Sequence, residues 1–393
     1  MTAPWLQRVY NATSGDLHRL VLQNTAAYIF EDTVNENPSV VFRATNPSLL
    51  RELTVNETIN DAGEALLTVA VESNPRGLLR GDYFIDVYMP TQSLQHLYAD
   101  SDHDTVVYAN TLSVDVVADV SIVATGEGTI IAETATVEAH HFRLETRGAG
   151  LIQLSVFESL VAGEITLVSV DRGSIALLNG NTTTNSITAM TAGSGSVYVG
   201  DGRADSVLST VSLFGRVYGD GDIVFVNAGQ CHMGHVQSSG SGNVFANSVD
   251  CHTSTAVVIG SGDVYSKAYS VLDTDDIGNG TVFADVDGNV TVSGPYAPLP
   301  DAVPAPYYSS FVMPDHNPLS FLPEPPAGQD VHVPITSTGT TQAIFILMTV
   351  VMVVIAVVVV VVHKVKNARR RPVTNDLMFT KVSTPKDTKV LCI

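Results

Sequence analysis

Apolar and small polar residues alternate with a period of two along most of the chain, which is the pattern of strands with one face turned inward. Runs such as Leu17-His-Arg-Leu-Val-Leu, Ser39-Val-Val-Phe-Arg-Ala, Leu66-Leu-Thr-Val-Ala-Val and Tyr83-Phe-Ile-Asp-Val-Tyr-Met are rich in β-branched and aromatic residues. Asn, Pro, Gly and Asp turns separate them, and Pro90 stops the last. No stretch of the body shows a helical period with caps, so the pattern predicts an all-β body.

From about Leu97 the pattern repeats. Apolar anchors after glycine or Asp/Glu-Gly turns fall at Ile130, Ile152, Ile175, Val197, Ile223, Val244, Val264 and Val282, with steps of 22, 23, 22, 26, 21, 20 and 18 residues. A drifting step of about 22 residues predicts a β-solenoid, in which each coil buries its apolar face only by stacking on its neighbours. The alternative is a β-sandwich or barrel, but its turns recur about every 8–12 residues. Two such strand–turn units fit inside each longer repeat. The turns read Gly193-Ser-Gly-Ser-Val-Tyr-Val, Gly219-Asp-Gly-Asp-Ile-Val-Phe, Gly240-Ser-Gly-Asn-Val-Phe-Ala, Gly260-Ser-Gly-Asp-Val-Tyr-Ser and Gly278-Asn-Gly-Thr-Val-Phe-Ala. Their glycines are expected at the corners of a coil, where a positive φ is needed. A dinucleotide-binding reading fails, because no helix follows and the motif recurs too often.

The composition changes after Gly294: 11 of the 18 prolines lie between Pro295 and Pro334. Such a segment favours an extended path without a sheet ladder and is expected to form a stalk. The aromatics Tyr307, Tyr308, Phe311 and Phe321 offer the other option, docking on the body or on a partner. Residues 343–362 carry no charge and are long enough, at about 1.5 Å per residue, to span a membrane as a helix. Lys364, Lys366, Arg369, Arg370 and Arg371 follow at once. The positive-inside bias then puts the tail in the cytosol and the body outside. No secretory-type apolar run opens the chain, so an outside body implies an incomplete start. A tail-anchored protein facing the cytosol is the rival topology.

Charge sharpens the picture. Up to Gln342 the chain has 12 lysines and arginines against 38 aspartates and glutamates, with Lys267 the single lysine. An acidic body excludes nucleic acid as a partner. Five sequons, at Asn11, Asn56, Asn181, Asn279 and Asn289, fall in the body and none in the tail. They are candidate N-glycosylation sites. The tail ends Leu391-Cys392-Ile393, which lacks the prenylation spacing and could add a strand to a PDZ-like domain.

Cys231-His232 and Cys251-His252 stand 20 residues apart, one coil by the local step. Equivalent positions on adjacent coils lie about 4.8 Å apart, within disulfide reach. A Cys231–Cys251 disulfide, two buried free thiols in a row, and a cysteine–histidine metal site all fit that spacing. Neighbours on a strand point to opposite faces, which weakens the metal reading. By the same rule, the adjacent His140 and His141 are expected to place at most one imidazole at any given site and are read as a surface pair. The turn carboxylates Asp201, Asp205, Asp220, Asp222, Asp273, Asp275 and Asp276 are expected to be solvated. Calcium binding and glycosidase-type catalysis are the alternatives. No catalytic, cofactor-binding or metal residue is assigned, and no cofactor is called for.

Residues from about Asp16 to Gly294 resemble the auto-transporter adhesin head GIN domain and related adhesin repeat domains. The Gly-Ser-Gly-Asn/Asp-Val copies at Gly240 and Gly260 carry the resemblance, together with the order Ile85-Asp-Val-Tyr-Met-Pro90, Ser93-Leu-Gln-His-Leu-Tyr, ladder. The resemblance implies a β-solenoid with a surface or adhesive role and supplies no catalytic residue.

The expected organisation is an N-terminal segment 1–15, a β-strand cap region 16–96, a glycine-punctuated solenoid 97–293, a proline-rich stalk 294–342, one transmembrane helix 343–362 and a basic cytosolic tail 363–393. The expected function is that of a non-enzymatic, adhesin-like or structural protein at the plasma membrane or cell surface. Its expected partners are the membrane, through a single span, and extracellular glycans or surface proteins. The alternative is a membrane-anchored β-helix carbohydrate-active enzyme.

Overall fold

The computed structural model describes residues 5–59, 64–71, 81–286 and 289–321. The predicted span 343–362, the tail, and residues 322–342 lie outside the described residues. Among the described residues no helix is long and apolar enough to cross a membrane.

The body is a β-solenoid of about nine turns with almost no helix. Its strands stack in parallel on three faces. The first face carries the anchors, paired in sequence order: Ile130 with Ile152, Ile152 with Ile175, Ile175 with Val197, then Ile223, Val244, Val264 and Val282. The register steps are therefore those read from the sequence. All eight anchors are buried, and each is worth about 1.5–3 kcal/mol of transfer free energy. The second face stacks residues 141–146 on 164–169, 186–191 and 212–217. The third stacks residues 136–139 on 159–162, and these on 181–184. Strands such as Leu151–Ser169 run across all three faces, bending at the corners.

The solenoid starts earlier than the expected boundary at residue 97. Arg19–Gln23 already lies on the second face beside His96–Asp100, and Tyr28–Asp32 on the first face beside Thr105–Val107. Capping is left to antiparallel strands. Leu6–Asn11 pairs with Ser39–Ala44, which pairs with Gly81–Pro90, and Leu53–Ile59 pairs with Ala65–Val71. These strands cover the open edge that a parallel stack would otherwise present.

The turn glycines serve a purpose different from the one expected. Among the described glycines, only Gly81, Gly200, Gly202 and Gly294 have a positive φ, and the ladder glycines do not. The ladder glycines are required because their turns lie flat on the turns of the preceding coil. A Cβ on Gly195 would overlap the carbonyl oxygen of Gly173, one on Gly240 that of Gly219, and one on Gly262 that of Gly242. The same closeness lets the turns hydrogen-bond, with Gly221 N–H donating to Gly193 (3.0 Å) and Gly242 N–H to Gly219 (3.1 Å).

The polar residue after each second glycine completes the stack. Ser174 accepts from the amide of Ser196 (3.1 Å), Ser196 from Asp222 (3.0 Å), Asp222 from Asn243 (2.7 Å), Asn243 from Asp263 (2.8 Å) and Asp263 from Thr281 (2.8 Å). Asp222 is thus engaged by the next coil and not simply solvated.

Gly195→Ala and Gly262→Ala are expected to cost about 3 kcal/mol each, by overpacking against backbone that cannot move alone. Gly180→Ala, whose Cβ would sit 3.1 Å from its nearest neighbour, should cost less than half as much. Thermal melts of the three variants check this.

Candidate functional site

The proline-rich segment 295–321 does not stand off as a stalk. It runs back along the outside of the first face, from the last coils to the N-terminal cap, and belongs to the same compact unit as the solenoid. Leu299 and Val303 pack on Val224, Phe245 and Tyr265. Tyr308 meets the Tyr198 ring at 5.1 Å. Met313 packs on Tyr28, Phe84 and Val106. Leu319–Phe321 then pairs antiparallel with residues 81–83. Of the two options the sequence left open, docking holds for Tyr308 and Phe311.

The polar fastenings are specific. Gln153 is buried and uses both ends of its amide. Nε2 donates to the Phe311 carbonyl (2.8 Å), and Oε1 accepts from the Phe311 amide (2.7 Å) and the Tyr308 hydroxyl (2.9 Å). Burial, and then the neighbouring Tyr198, push the Tyr308 phenol well above its ordinary range. Further along, the Tyr28 hydroxyl accepts from the Asn317 amide (3.0 Å). His316 Nε2 lies 2.7 Å from Oδ1 of Asp86, whose side chain is 1% exposed and whose other oxygen is held by Arg43.

The segment is placed by the outward side of the first face. Phe245, Tyr265 and Phe283 form a stack with centroid separations of 4.8 and 5.0 Å and planes within 11°. These are the aromatics of the Val-Phe and Val-Tyr pairs that follow the glycine turns. Two successive apolar residues in a strand mean both faces are covered. That signal was present in the sequence, and reading the alternation as one-sided missed it.

Midway along, the segment arches over a cleft of about 870 Å³. Phe157, Val226, Tyr307, Phe311 and Val312 give it apolar walls, and Glu133, Asp201 and Arg203 give it charge. Phe157 and Phe311 are about half exposed. The turn that supplies Asp201 and Arg203 is held by the buried Asn227, whose Oδ1 accepts from Gly202 (3.0 Å) and whose Nδ2 donates to Asn179 (2.9 Å). Here positive φ is needed, at Gly200 (+112°) and Gly202 (+71°), and the coil lengthens to 26 residues. The Asp201 carboxylate pairs with Arg203 at 3.2 Å.

Cys231 and Cys251 face inward at paired positions of adjacent coils, 4.4 Å apart at Cα, and are joined as a disulfide. They occupy a column of small side chains that begins Ala139, Ala162, Thr184, Thr210. Gly234 opens the space beside them, since a Cβ there would lie 2.9 Å from the Cys251 sulfur. Their sequence neighbours His232 and His252 turn outward and stack at 5.2 Å, so the structure does not gather cysteines and histidines into one site. The five sequon residues Asn11, Asn56, Asn181, Asn279 and Asn289 are all exposed.

His140 and His141 lie at the surface, but they depart from the expectation that at most one imidazole faces a given site. The chain turns the corner from the third face to the second here, so both rings are exposed on the same side. The Nδ1 atoms of His141 and His140 lie 2.8 and 3.7 Å from Asp119 Oδ1. Burial raises the pKa of the Asp119 carboxyl, but the His141 hydrogen bond and charge hold it below its ordinary value.

No protein-family model matches the chain, and no curated protein matches it. Among solved structures, the fold is similar to a candidate adhesin from Parabacteroides merdae, at 14% identity and a TM-score of 0.46 over 72% of this chain and 96% of that one. It is also similar to a candidate lipid-binding protein from Parabacteroides distasonis, at 13% identity and a TM-score of 0.37 over 73% and 92%. A candidate adhesin from the same species matches at 15% identity and a TM-score of 0.39 over 72% and 97%. Likeness this distant transfers no function, and the reading below rests on the chain's own residues.

Two outcomes follow for this region. Gln153→Leu removes the side-chain partner of the Phe311 amide and carbonyl and of the Tyr308 hydroxyl, at a cost of about 1–3 kcal/mol. Chymotryptic cleavage at Tyr307 and Phe311 should accelerate while the coils stay resistant. Removing the disulfide with Cys231→Ser and Cys251→Ser together should cost about 3 kcal/mol for a closed loop of this size. The loss should appear as a lower melting temperature.

Proposed function

We propose that this chain is a non-enzymatic, adhesin-like surface protein that binds an extended glycan or other polymer in the cleft between its first face and the 295–321 segment. On this reading residues 343–362 anchor it by a single span, with the body outside and the tail 363–393 in the cytosol. The charge asymmetry about that span, the exposed sequon asparagines and the oxidised cysteine pair support an exterior location. An open-sided cleft with aromatic walls and a few fixed polar groups suits a ligand that lies along the coil axis.

A membrane-anchored carbohydrate-active enzyme is the second reading, raised by the two carboxylates, Glu133 and Asp201, in the same cleft. One observation favours the first reading. Glu133 pairs with Ser155, Ser155 with Leu178, and the next coil brings Gly200 and Asp201. Three coils separate the carboxylates, roughly 14 Å along the axis at the interstrand spacing. A glycosidase holds its pair about 5–10 Å apart. Asp201 is also tied to Arg203, which leaves it poorly placed to shuttle a proton.

The test is a glycan and polymer array probed with the full chain, with reducing-sugar release assayed alongside. Retained binding that falls about tenfold or more in Phe157→Ala, with no sugar released, is the expected result. Release that disappears in Glu133→Gln would replace this reading with the enzymatic one.

A further inference from the structure

We propose that Asp119, His140 and His141 form a divalent transition-metal site with zinc-type chemistry on the outer corner between the second and third faces. One ligand atom from each lies within 4.8 Å of the other two. Asp119 and His141 are paired residues of adjacent coils, so the stack itself fixes their separation. His140 joins them because the corner turns two consecutive side chains to the same side.

The distances suit a metal. Zinc holds imidazole nitrogen and carboxylate oxygen at about 2.0–2.2 Å in a tetrahedron, which places neighbouring ligand atoms roughly 3.3 Å apart. The separations from Asp119 Oδ1, 2.8 Å to His141 and 3.7 Å to His140, fall on either side of that value. Exposed rings close the difference by rotating slightly. Two imidazoles and one carboxylate are a donor set that favours zinc over calcium or magnesium, which prefer all-oxygen sites.

A fourth residue supports the assignment. Glu164 is the partner of His141 on the following coil, and its Oε2 lies 3.8 Å from His141 Nε2. With Nδ1 on the metal, Nε2–H is on the side of this carboxylate, which stands just beyond hydrogen-bond distance and on closing would fix the ring as outer-shell carboxylates do in histidine-ligated sites. Three protein ligands leave a fourth position toward solvent, open to water or to a donor from another molecule. Nothing in this site depends on the cleft or on the proposed polymer.

The experiment uses the untagged full chain titrated with zinc chloride by calorimetry, with cobalt(II) absorption reporting geometry. Wild type should take up one equivalent with a dissociation constant of about micromolar order and give a tetrahedral cobalt spectrum. His140→Gln, His141→Gln and Asp119→Asn should each weaken it by about tenfold or more, and Glu164→Gln by less. The double change His232→Gln with His252→Gln removes the other stacked pair and should leave binding unchanged. In wild type, zinc should protect His140 and His141 from diethyl pyrocarbonate, mapped by mass spectrometry. Unprotected His140 and His141 in wild type, or zinc affinity unaltered in His141→Gln, would overturn the proposal.

Discussion

Everything in this molecule depends on how closely one coil lies on the next. Parallel strands on three faces set a spacing of about 4.8 Å, and the turns between the second and first faces must keep to it. Gly195 on Gly173, Gly240 on Gly219 and Gly262 on Gly242 do so with backbone directly against backbone. The side chains that follow, from Ser174 through Asp263, use that proximity to satisfy the amide of the next coil. A turn built of larger residues would lift the coils apart there and open the anchor column from Ile130 to Val282.

The same spacing organises the surface. Once coils are in register, any residue type repeated once per coil becomes a column. Inward, this gives the anchors and the small-residue row that includes the Cys231–Cys251 pair and continues to Ala268. Outward on the first face, it gives the stack Phe245, Tyr265, Phe283, which is too apolar to leave in water. The chain covers it with its own proline-rich segment. A polyproline-like path has no internal hydrogen bonds, so fastening falls to side chains of the coils, with Gln153, Tyr28 and Asp86 holding Phe311, Asn317 and His316. The cleft lies where that covering arches away from Phe157 and Val226.

Much of this was legible in the sequence. The anchors gave the coil length and the register itself, because an apolar residue that recurs once per coil has only one place to go. The adjacency of Cys231 and Cys251 follows from the same step, but the step alone does not separate a disulfide from two free thiols. The purpose of the glycines was harder to see, since a glycine needed for close approach looks the same as one needed for positive φ. Both kinds occur: among the described glycines Gly81, Gly200, Gly202 and Gly294 are of the second, and the ladder glycines from Gly193 to Gly280 are of the first. The path of residues 295–321 was also hidden. Proline content reports extension but not direction, and the clue lay in the first face, in Val-Phe and Val-Tyr pairs where one-sided burial would place a polar residue. The Asp119, His140 and His141 cluster escaped because strand alternation does not hold across a corner.

The return of the proline-rich segment onto the first face is the central structural claim, and hydrogen exchange on the intact chain tests it most directly. Docking predicts slow exchange at the amides of Phe311, Asn317 and Leu319 relative to unstructured peptide. It also predicts that Gln153→Leu speeds exchange at Phe311 first. Exchange of the whole 299–321 stretch at the rate of a free peptide, with the coils still protected, would contradict it.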